Sequence, residues 1–319
     1  MELRSIPKTD LKVSPICLGT MTFGTPVGEA DAIRIVHWAL DHGVNFIDTA
    51  NMYEGYTRSA GSTGGVAEEI LGQALKGRRD EAVVATKVGM KVGDAPEDDG
   101  TSAEAIRVQL DRSLQRLQTD YVDLYYLHRP DPASDMAETL GALDEAIQQG
   151  KIRYYAVSNY TSRHLEELLE IADENDLPRP VVVQPFFNLL NPESTLEFPY
   201  PGLEKMEFRV QDELLPLCER EQIGVVPYRI LNSGVLTGKY RRGQEPPAGS
   251  RASEKPSWLP ELTDELFDRL EEIEQAATAQ GLTMVQYAIR WVLEQPAVVA
   301  AIVGVKRTEQ LEEAIAAAP

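Results

Sequence analysis

The chain has 319 residues, 43% hydrophobic and 26% charged, with a formal net charge of −20 from 31 basic and 51 acidic side chains. That length and composition can bury a large core, while the acidic balance excludes a nucleic-acid partner, because phosphate binding needs a basic face. No apolar run approaches the ~20 residues that span a bilayer, and the charged start MELRSIPKTDLK is no signal peptide, so a soluble, cytoplasmic protein is expected.

Short apolar runs alternate with amphipathic segments from end to end. TDLKVSP predicts a short hairpin, and ICLGT is the first strand-like run. VNFIDTA, AVVATKV, YVDLYYLH, IRYYAVSN, VVVQPF, IGVVPY and VVAAIVGV follow, nearly continuous in apolar residues, as parallel strands buried on both faces are. Between them run ADAIRIVHWALDHG, GVAEEILGQALKG, SAEAIRVQLDRSLQRL, MAETLGALDEAIQQG, SRHLEELLEIADEN and FRVQDELLPLCEREQ, with apolar residues at helical spacing. Gly43, Gly77 and Gly150 stand just past the last apolar residue of their segments, a common helix stop. Thr101 or Ser102 can cap the third helix, and Ser162 the fifth.

Eight strands with intervening helices predict one (β/α)8 barrel domain over residues 1–319. A doubly wound open sheet is the alternative, but it usually carries GxGxxG after its first strand, and the chain has none. GVLTGKY is no P-loop: three residues, not four, separate Gly234 from Gly238, and Tyr240 stands where a metal-binding Ser or Thr belongs. Two stretches break the rhythm. Residues 192–207 are longer than an ordinary βα loop, and residues 241–260 are rich in Pro, Gly and Ser. In a barrel both would lie over the C-terminal mouth. ELTDELFDRLEEIEQAATAQ and MVQYAIRWVLEQ add helices before the last strand. Cys17 and Cys218, in SPICLG and LLPLCER, read as small buried hydrophobes, and the four histidines show no metal-binding spacing.

Four polar residues follow apolar runs at strand ends, where packing does not call for them: Asp48, then Tyr53 five residues on, Lys87 and His128. A phenol with an ordinary pKa near 10 is a poor acid at neutral pH. An ammonium beside it favours the phenolate, Lys87 can supply that charge, and Asp48 can hold Lys87 in place. His128 can donate a hydrogen bond to a substrate oxygen or share in proton relay. The set suits protonation of the oxyanion formed when hydride reaches a carbonyl.

With CLGTMTFG, GVNFIDTANMY, ATKVG, DYVDLYYLHRPD, GKIRYYAVSNY, VVQPFFNLL, GVLTGKY and IVGVKRTEQLEE all present, the chain resembles the aldo-keto reductase superfamily from Leu11 to its C-terminus. The resemblance implies a (β/α)8 barrel that binds NADP(H) at its C-terminal mouth and reduces aldehyde or ketone carbonyls by hydride transfer. It makes Tyr53 the proton donor, tuned by Lys87 and Asp48, and has His128 orient the carbonyl. Ser158, Asn159 and Gln184 would hold the nicotinamide carboxamide, and Tyr228 would stack on the ring. Gly19, Thr20 and Met21 would line the start of the cofactor site, together with Asp48. Leu231, Ser233, Gly234 and Lys239 fall in the segment that covers the pyrophosphate. Gly304, Lys306 and Arg307 match the 2′-phosphate grip, with Gln310 and Glu313 near the adenine.

The chain also departs from the pattern. Arg229 stands where many members carry Ser, as a contact to the pyrophosphate or to an anionic substrate. Ala314 replaces an Asn beside the adenine. The chain ends at Pro319, without the C-terminal loop of some branches, so specificity is expected from residues 54–64, 89–100 and 192–207. Phe198, Tyr200, Met52, Tyr56 and Met90 are candidate pocket walls. Two other readings stay open: a cofactor-sensing regulatory subunit of a channel with slow turnover, and an unrelated barrel such as a sugar-phosphate isomerase or aldolase, which would not bind NADPH. Expected partners are a small carbonyl substrate, with no nucleic acid and no membrane. The physiological substrate, the reaction direction and the oligomeric state stay open.

Overall fold

The computed structural model describes residues 1–319 apart from Ala60, Pro199 and Pro319. Ala60 and Pro199 belong to two of the loops expected to set specificity, and Pro319 is the expected chain end; these three positions lie outside the described residues. A small hairpin, β1 (Arg4–Ser5) and β2 (Lys12–Val13), opens the chain. It starts earlier than TDLKVSP, at Arg4. Six parallel strands follow: β3 (Ile16–Gly19), β4 (Phe46–Asp48), β5 (Val83–Val88), β6 (Val122–Leu127), β7 (Ile152–Ser158) and β8 (Val182–Gln184). The next two, β9 (Glu193–Leu196) and β10 (Met206–Arg209), leave the sheet and pair antiparallel with each other. Then β11 (Gly224–Val225) and β12 (Ala301–Gly304) complete an eight-stranded parallel sheet in the order β11-β8-β7-β6-β5-β4-β3-β12.

The ring closes between the two ends of that order. Val225 N donates to Ala297 O at 2.8 Å, Val299 N to Val225 O at 2.9 Å and Ile302 N to Pro227 O at 3.0 Å. The fold is a (β/α)8 barrel, and all eight strand-like runs of the sequence contribute to its wall. Side chains alternate along each strand. Cys17, Phe46, Ala85, Leu124, Tyr126, Ala156 and Val182 fill the barrel with Ile6, Leu11 and Val13 of the hairpin segment beneath them. Ile16, Leu18, Ile47, Val84, Tyr125, Leu127, Tyr155 and Val157 face outward onto the helices. Both faces are therefore apolar, which is why the runs read as continuous.

The helices of the first connections are α1 (Glu29–Asp41), α2 (Val66–Ala74), α3 (Ala103–Leu117), α4 (Met136–Gln148) and α5 (Ser162–Glu174). Ser102 caps α3, accepting from Ala105 N. The cap of α5 is Thr161 rather than Ser162: Thr161 Oγ1 accepts from His164 N, while Ser162 is already helical and its hydroxyl donates to Glu213. The segment FRVQDELLPLCEREQ is helical only in part. Phe208 and Arg209 end β10, where burial alternates with period 2, and α6 (Leu215–Glu221) begins after a π-helical turn at Val210–Leu214.

Residues 241–260, read as a loop, carry α7 (Arg251–Glu254) and a 3-10 turn at Pro256–Trp258. Then come α8 (Asp264–Ala279), α9 (Met284–Leu293) and, after β12, α10 (Thr308–Ile315). Val235, Leu236 and Tyr240 pack with Leu270, Ile273, Met284 and Ala288 of α8 and α9 into a separate apolar cluster, and residues 241–260 form a strap that packs on it through Ala252 and Leu259. Cys17 and Cys218 are free and buried. Among the described residues, no helix is long and apolar enough to cross a membrane.

Candidate active site

The site follows from strand periodicity. Phe46, Ala85, Tyr126, Ala156 and Val182 point into the barrel. Two residues further along each chain path stand Asp48, Lys87, His128, Ser158 and Gln184. A period of 2 points these side chains inward as well, one layer above the apolar filling, at the C-terminal mouth. Polar groups there would be costly to bury unless they satisfied one another.

All but the His128 ring do so, in one chain of hydrogen bonds. Tyr228 OH donates to Asn159 Oδ1 at 2.7 Å, and Asn159 Nδ2 donates to Ser158 Oγ at 3.2 Å and to His128 O at 2.9 Å. Ser158 Oγ donates to Gln184, and Gln184 Nε2 donates to Asp48 Oδ2 at 2.9 Å. Lys87 Nζ donates to Asp48 Oδ1 at 2.5 Å, to Thr49 O at 2.8 Å and to the Tyr53 hydroxyl at 3.3 Å. Asn159 takes a left-handed backbone (φ 59°), which Asn tolerates better than most residues. Lys87 is fully buried and Asp48 is 3% exposed. Tyr53 is half-buried, so its phenol meets both the ammonium and the open mouth.

The electrostatics differ from the sequence expectation in one respect. Burial raises the Tyr53 pKa, and the opposing pull of Lys87 does not overcome it. Lys87 is itself pulled down by burial, but Asp48 and then Tyr53 outweigh that, leaving it raised and charged. Burial, followed by the cations Lys87, Arg129 and Arg58, pushes His128 well below the ordinary imidazole range. His128 is therefore a neutral hydrogen-bonding group. Its ring lies edge-on to Tyr53, with centroids 6.0 Å apart. Nδ1 is buried without a partner among the described residues.

The remaining residues singled out in the sequence lie at the end of β3, after β11, and at or after the end of β12. Thr20 Oγ1 and N both reach Asp48 O at 3.0 Å, with Gly19 and Met21 beside it. At Gly19 a β-carbon would come within 2.8 Å of Ile302. Leu231 leads into a kinked 3-10 segment, Asn232–Thr237, in which Ser233 and Gly234 have positive φ. Gly234 leaves room for Lys239, whose Nζ would lie 2.6 Å from a β-carbon there. Gly304 ends β12. Lys306 Nζ is bound to Glu254 (2.5 Å) and Gly249 O (2.8 Å), and its backbone N donates to Gln310. Glu313 accepts from Thr283 Oγ1, and Arg307 is exposed.

Arg251 was not legible in the sequence. It is packed between Tyr56 and Trp258, 4.9 and 5.2 Å from the ring centroids. Tyr56 is thereby packed against this 251–258 segment, and its ring centroid also lies 5.3 Å from Lys306 Nζ. Met52, Met90, Phe198 and Tyr200 are half-buried around the mouth.

Among the described residues, Arg229, Lys239 and Arg251 have no ion-pair partner. Burial lowers the Lys239 pKa, and neighbouring Lys306 and Arg251 lower it further. Unpaired cations gathered at one rim of a chain with net charge −20 fit a ligand with several phosphates. The amides and hydroxyl of Asn159, Gln184 and Ser158 supply the mixed donors and acceptors that a carboxamide needs. The residues present therefore fit NADP(H).

A sequence profile of the aldo/keto reductase family matches residues 15–319. The chain is similar to a probable voltage-gated potassium channel subunit beta of Arabidopsis thaliana, 34% identical over 319 residues, 98% of this chain and 90% of that one. It is 33% identical over 321 residues to an uncharacterized oxidoreductase of Bacillus subtilis, 99% of this chain and 91% of that one. With L-glyceraldehyde 3-phosphate reductase of Escherichia coli it shares 30% identity over 327 residues, 99% of this chain and 87% of that one.

Proposed function

The chain belongs to the aldo/keto reductase family, and we propose that it is an NADPH-dependent oxidoreductase that reduces aldehyde or ketone carbonyls to alcohols. The observation that carries this reading is the buried Lys87 ammonium joining Asp48 to the partly buried phenol of Tyr53. NADPH, when bound, would supply hydride to the carbonyl carbon. Ser158, Asn159 and Gln184 would hold its carboxamide, Tyr228 would face its nicotinamide, and Arg229, Lys239, Arg251, Lys306 and Arg307 would take its phosphates.

Tyr53 gives its proton to the carbonyl oxygen as negative charge develops there. Lys87 stabilises the phenolate left behind, and Asp48 keeps Lys87 charged and aimed. Neutral His128 donates a hydrogen bond that orients the oxygen. The barrel supplies rigidity: Asp48 and Lys87 stand at strand ends and are tied to each other and, through Lys87, to Tyr53, while His128 follows β6 directly. The buried free thiols are in keeping with a reducing compartment, the cytoplasm.

The test is consumption of NADPH against an aromatic aldehyde, a dicarbonyl, an aldose and a ketone. Turnover of at least one, with NADH a poorer donor, supports the reading; tight NADPH binding without turnover of any opposes it. A second reading rests on the likeness to the plant channel subunit: a cofactor-sensing regulatory protein with slow turnover. Co-purification with a membrane protein would favour it.

A further inference from the structure

The hairpin β9–β10 does not contribute to the barrel wall. Its turn is tied internally, Phe198 N to Leu203 O at 3.1 Å and Leu203 N to Tyr200 O at 3.0 Å. Leu203 is fully buried, and Leu196, Phe198 and Tyr200 pack against the core. This turn lies on the segment that follows the catalytic histidine. Gly202 passes Pro132 so closely that a β-carbon would sit 3.3 Å from it.

One side chain gathers the whole region. Arg129, next in sequence to His128, is 2% exposed. Its Nη2 donates to Asp99 Oδ1 at 3.1 Å and its Nη1 to Pro130 O at 3.0 Å, with Asp131 at 3.7 Å. The guanidinium carbon stands 3.5 Å from the centroid of the Tyr200 ring. Lys91 N makes a long contact with the Tyr200 hydroxyl, 3.5 Å. Asp131 in turn accepts from Thr101 N at 2.8 Å and Ser134 Oγ at 2.7 Å. A single guanidinium thus joins the loops after β5 and β6 to the hairpin after β8. A buried arginine with paired carboxylates on one side and an aromatic face on the other is a stiff joint, because its planar fork fixes both directions. Tyr56 and Lys306 pack with Arg251 and Glu254 of the strap, whereas the hairpin stands on Arg129, the neighbour of His128.

We propose that Arg129 is a positioning residue for substrate selection: through Tyr200 it holds the β9–β10 hairpin against the His128 strand end, and the held hairpin is the wall that limits the bulk of the carbonyl substituent. The proposal rests on the carbonyl-reductase reading above. Compact aldehydes are admitted by the closed wall, and bulky ones are excluded until the joint is loosened.

The experiment uses the full chain as wild type, Tyr200→Ala, Tyr200→Phe and Arg129→Lys. Two quantities are read: amide hydrogen exchange across residues 193–209, and kcat/KM for methylglyoxal against naphthaldehyde, with NADPH affinity followed separately. Tyr200→Ala and Arg129→Lys are expected to speed exchange in the hairpin and to shift the naphthaldehyde-to-methylglyoxal ratio by about tenfold, as loss of one stacked contact would. The shift should lie mainly in KM, with NADPH affinity preserved. Tyr200→Phe, which keeps the ring over the guanidinium, should restore most of the selectivity. Faster exchange with an unchanged ratio overturns the selection role, and unchanged exchange overturns the joint itself. A wild type that binds NADPH but reduces neither aldehyde sinks the reductase reading and the selection role with it, while exchange still decides whether Arg129 holds the hairpin. Should Arg129→Lys fail to fold, the more exposed Tyr200 substitutions decide the matter alone.

Discussion

The Lys87 ammonium and the Asp48 carboxylate stand 2.5 Å apart at the top of the barrel core, both almost wholly removed from water. Each is the other's counter-charge, so removing one leaves a buried charge uncompensated. Lys87→Met is expected to destabilise the fold by about 3–5 kcal/mol, the usual cost of breaking a buried pair from one side. Asp48→Asn should cost a similar amount. The double variant should be more stable than the sum of the two single effects predicts, since neither charge is then stranded. Urea unfolding of the four proteins measures this; simple additivity would show that the pair is not coupled.

The pH dependence follows from the directions of the shifts. Carbonyl reduction needs Tyr53 protonated, and burial raises its pKa. The rate should therefore fall only as pH rises beyond the ordinary phenol value of about 10. His128 has a folded pKa well below the usual imidazole range. In the unfolded chain it takes a proton below about pH 6.5 that the native state refuses, so stability falls as pH drops through that value. Single-turnover rates should stay flat between about pH 6.5 and 9. An alkaline limb near pH 8, or an acid limb centred on the ordinary histidine value, would contradict these assignments.

The barrel and its polar strand ends were legible because burial on both faces writes each strand as an unbroken apolar run. A polar residue two positions beyond an inward one then announces the mouth: Ala85 to Lys87, Tyr126 to His128. The hairpin was not legible. Met206 to Arg209 alternate in burial, but MEFR runs straight into VQDELL, whose helical spacing dominated the reading. Arg129 and Arg251 were missed for a different reason. Their roles come from Tyr200, Asp99, Tyr56 and Trp258, partners distant in sequence, and no spacing signals them.

Lys306 tests the cofactor side. Its ammonium is held by Glu254 and Gly249 O, and the proposed function gives it the phosphate that NADPH carries and NADH lacks. Lys306→Ala should weaken NADPH binding by about tenfold or more, as loss of a charge-assisted contact does. NADH binding should change little. Fluorescence titration of both nucleotides gives the answer; equal losses would place Lys306 elsewhere on the cofactor.

Gly72 separates local propensity from packing. It lies within α2, where Ala would ordinarily favour the helix by about 1 kcal/mol. A β-carbon there would come within 2.5 Å of Arg116 O on the backbone of α3. Gly72→Ala should therefore destabilise the protein by about 1–3 kcal/mol through overpacking. Thermal unfolding measures the sign, and a stabilised variant would show that α2 and α3 can move apart.

The most direct measurement is the single-turnover rate of carbonyl reduction by Tyr53→Phe, alongside its affinity for NADPH. Loss of the phenol proton should cut the rate by about 10²–10⁴-fold, the usual worth of a positioned acid, while NADPH affinity stays at the wild-type value. A variant that still reduces the aldehyde at the wild-type rate would contradict the assignment of Tyr53 as the proton donor.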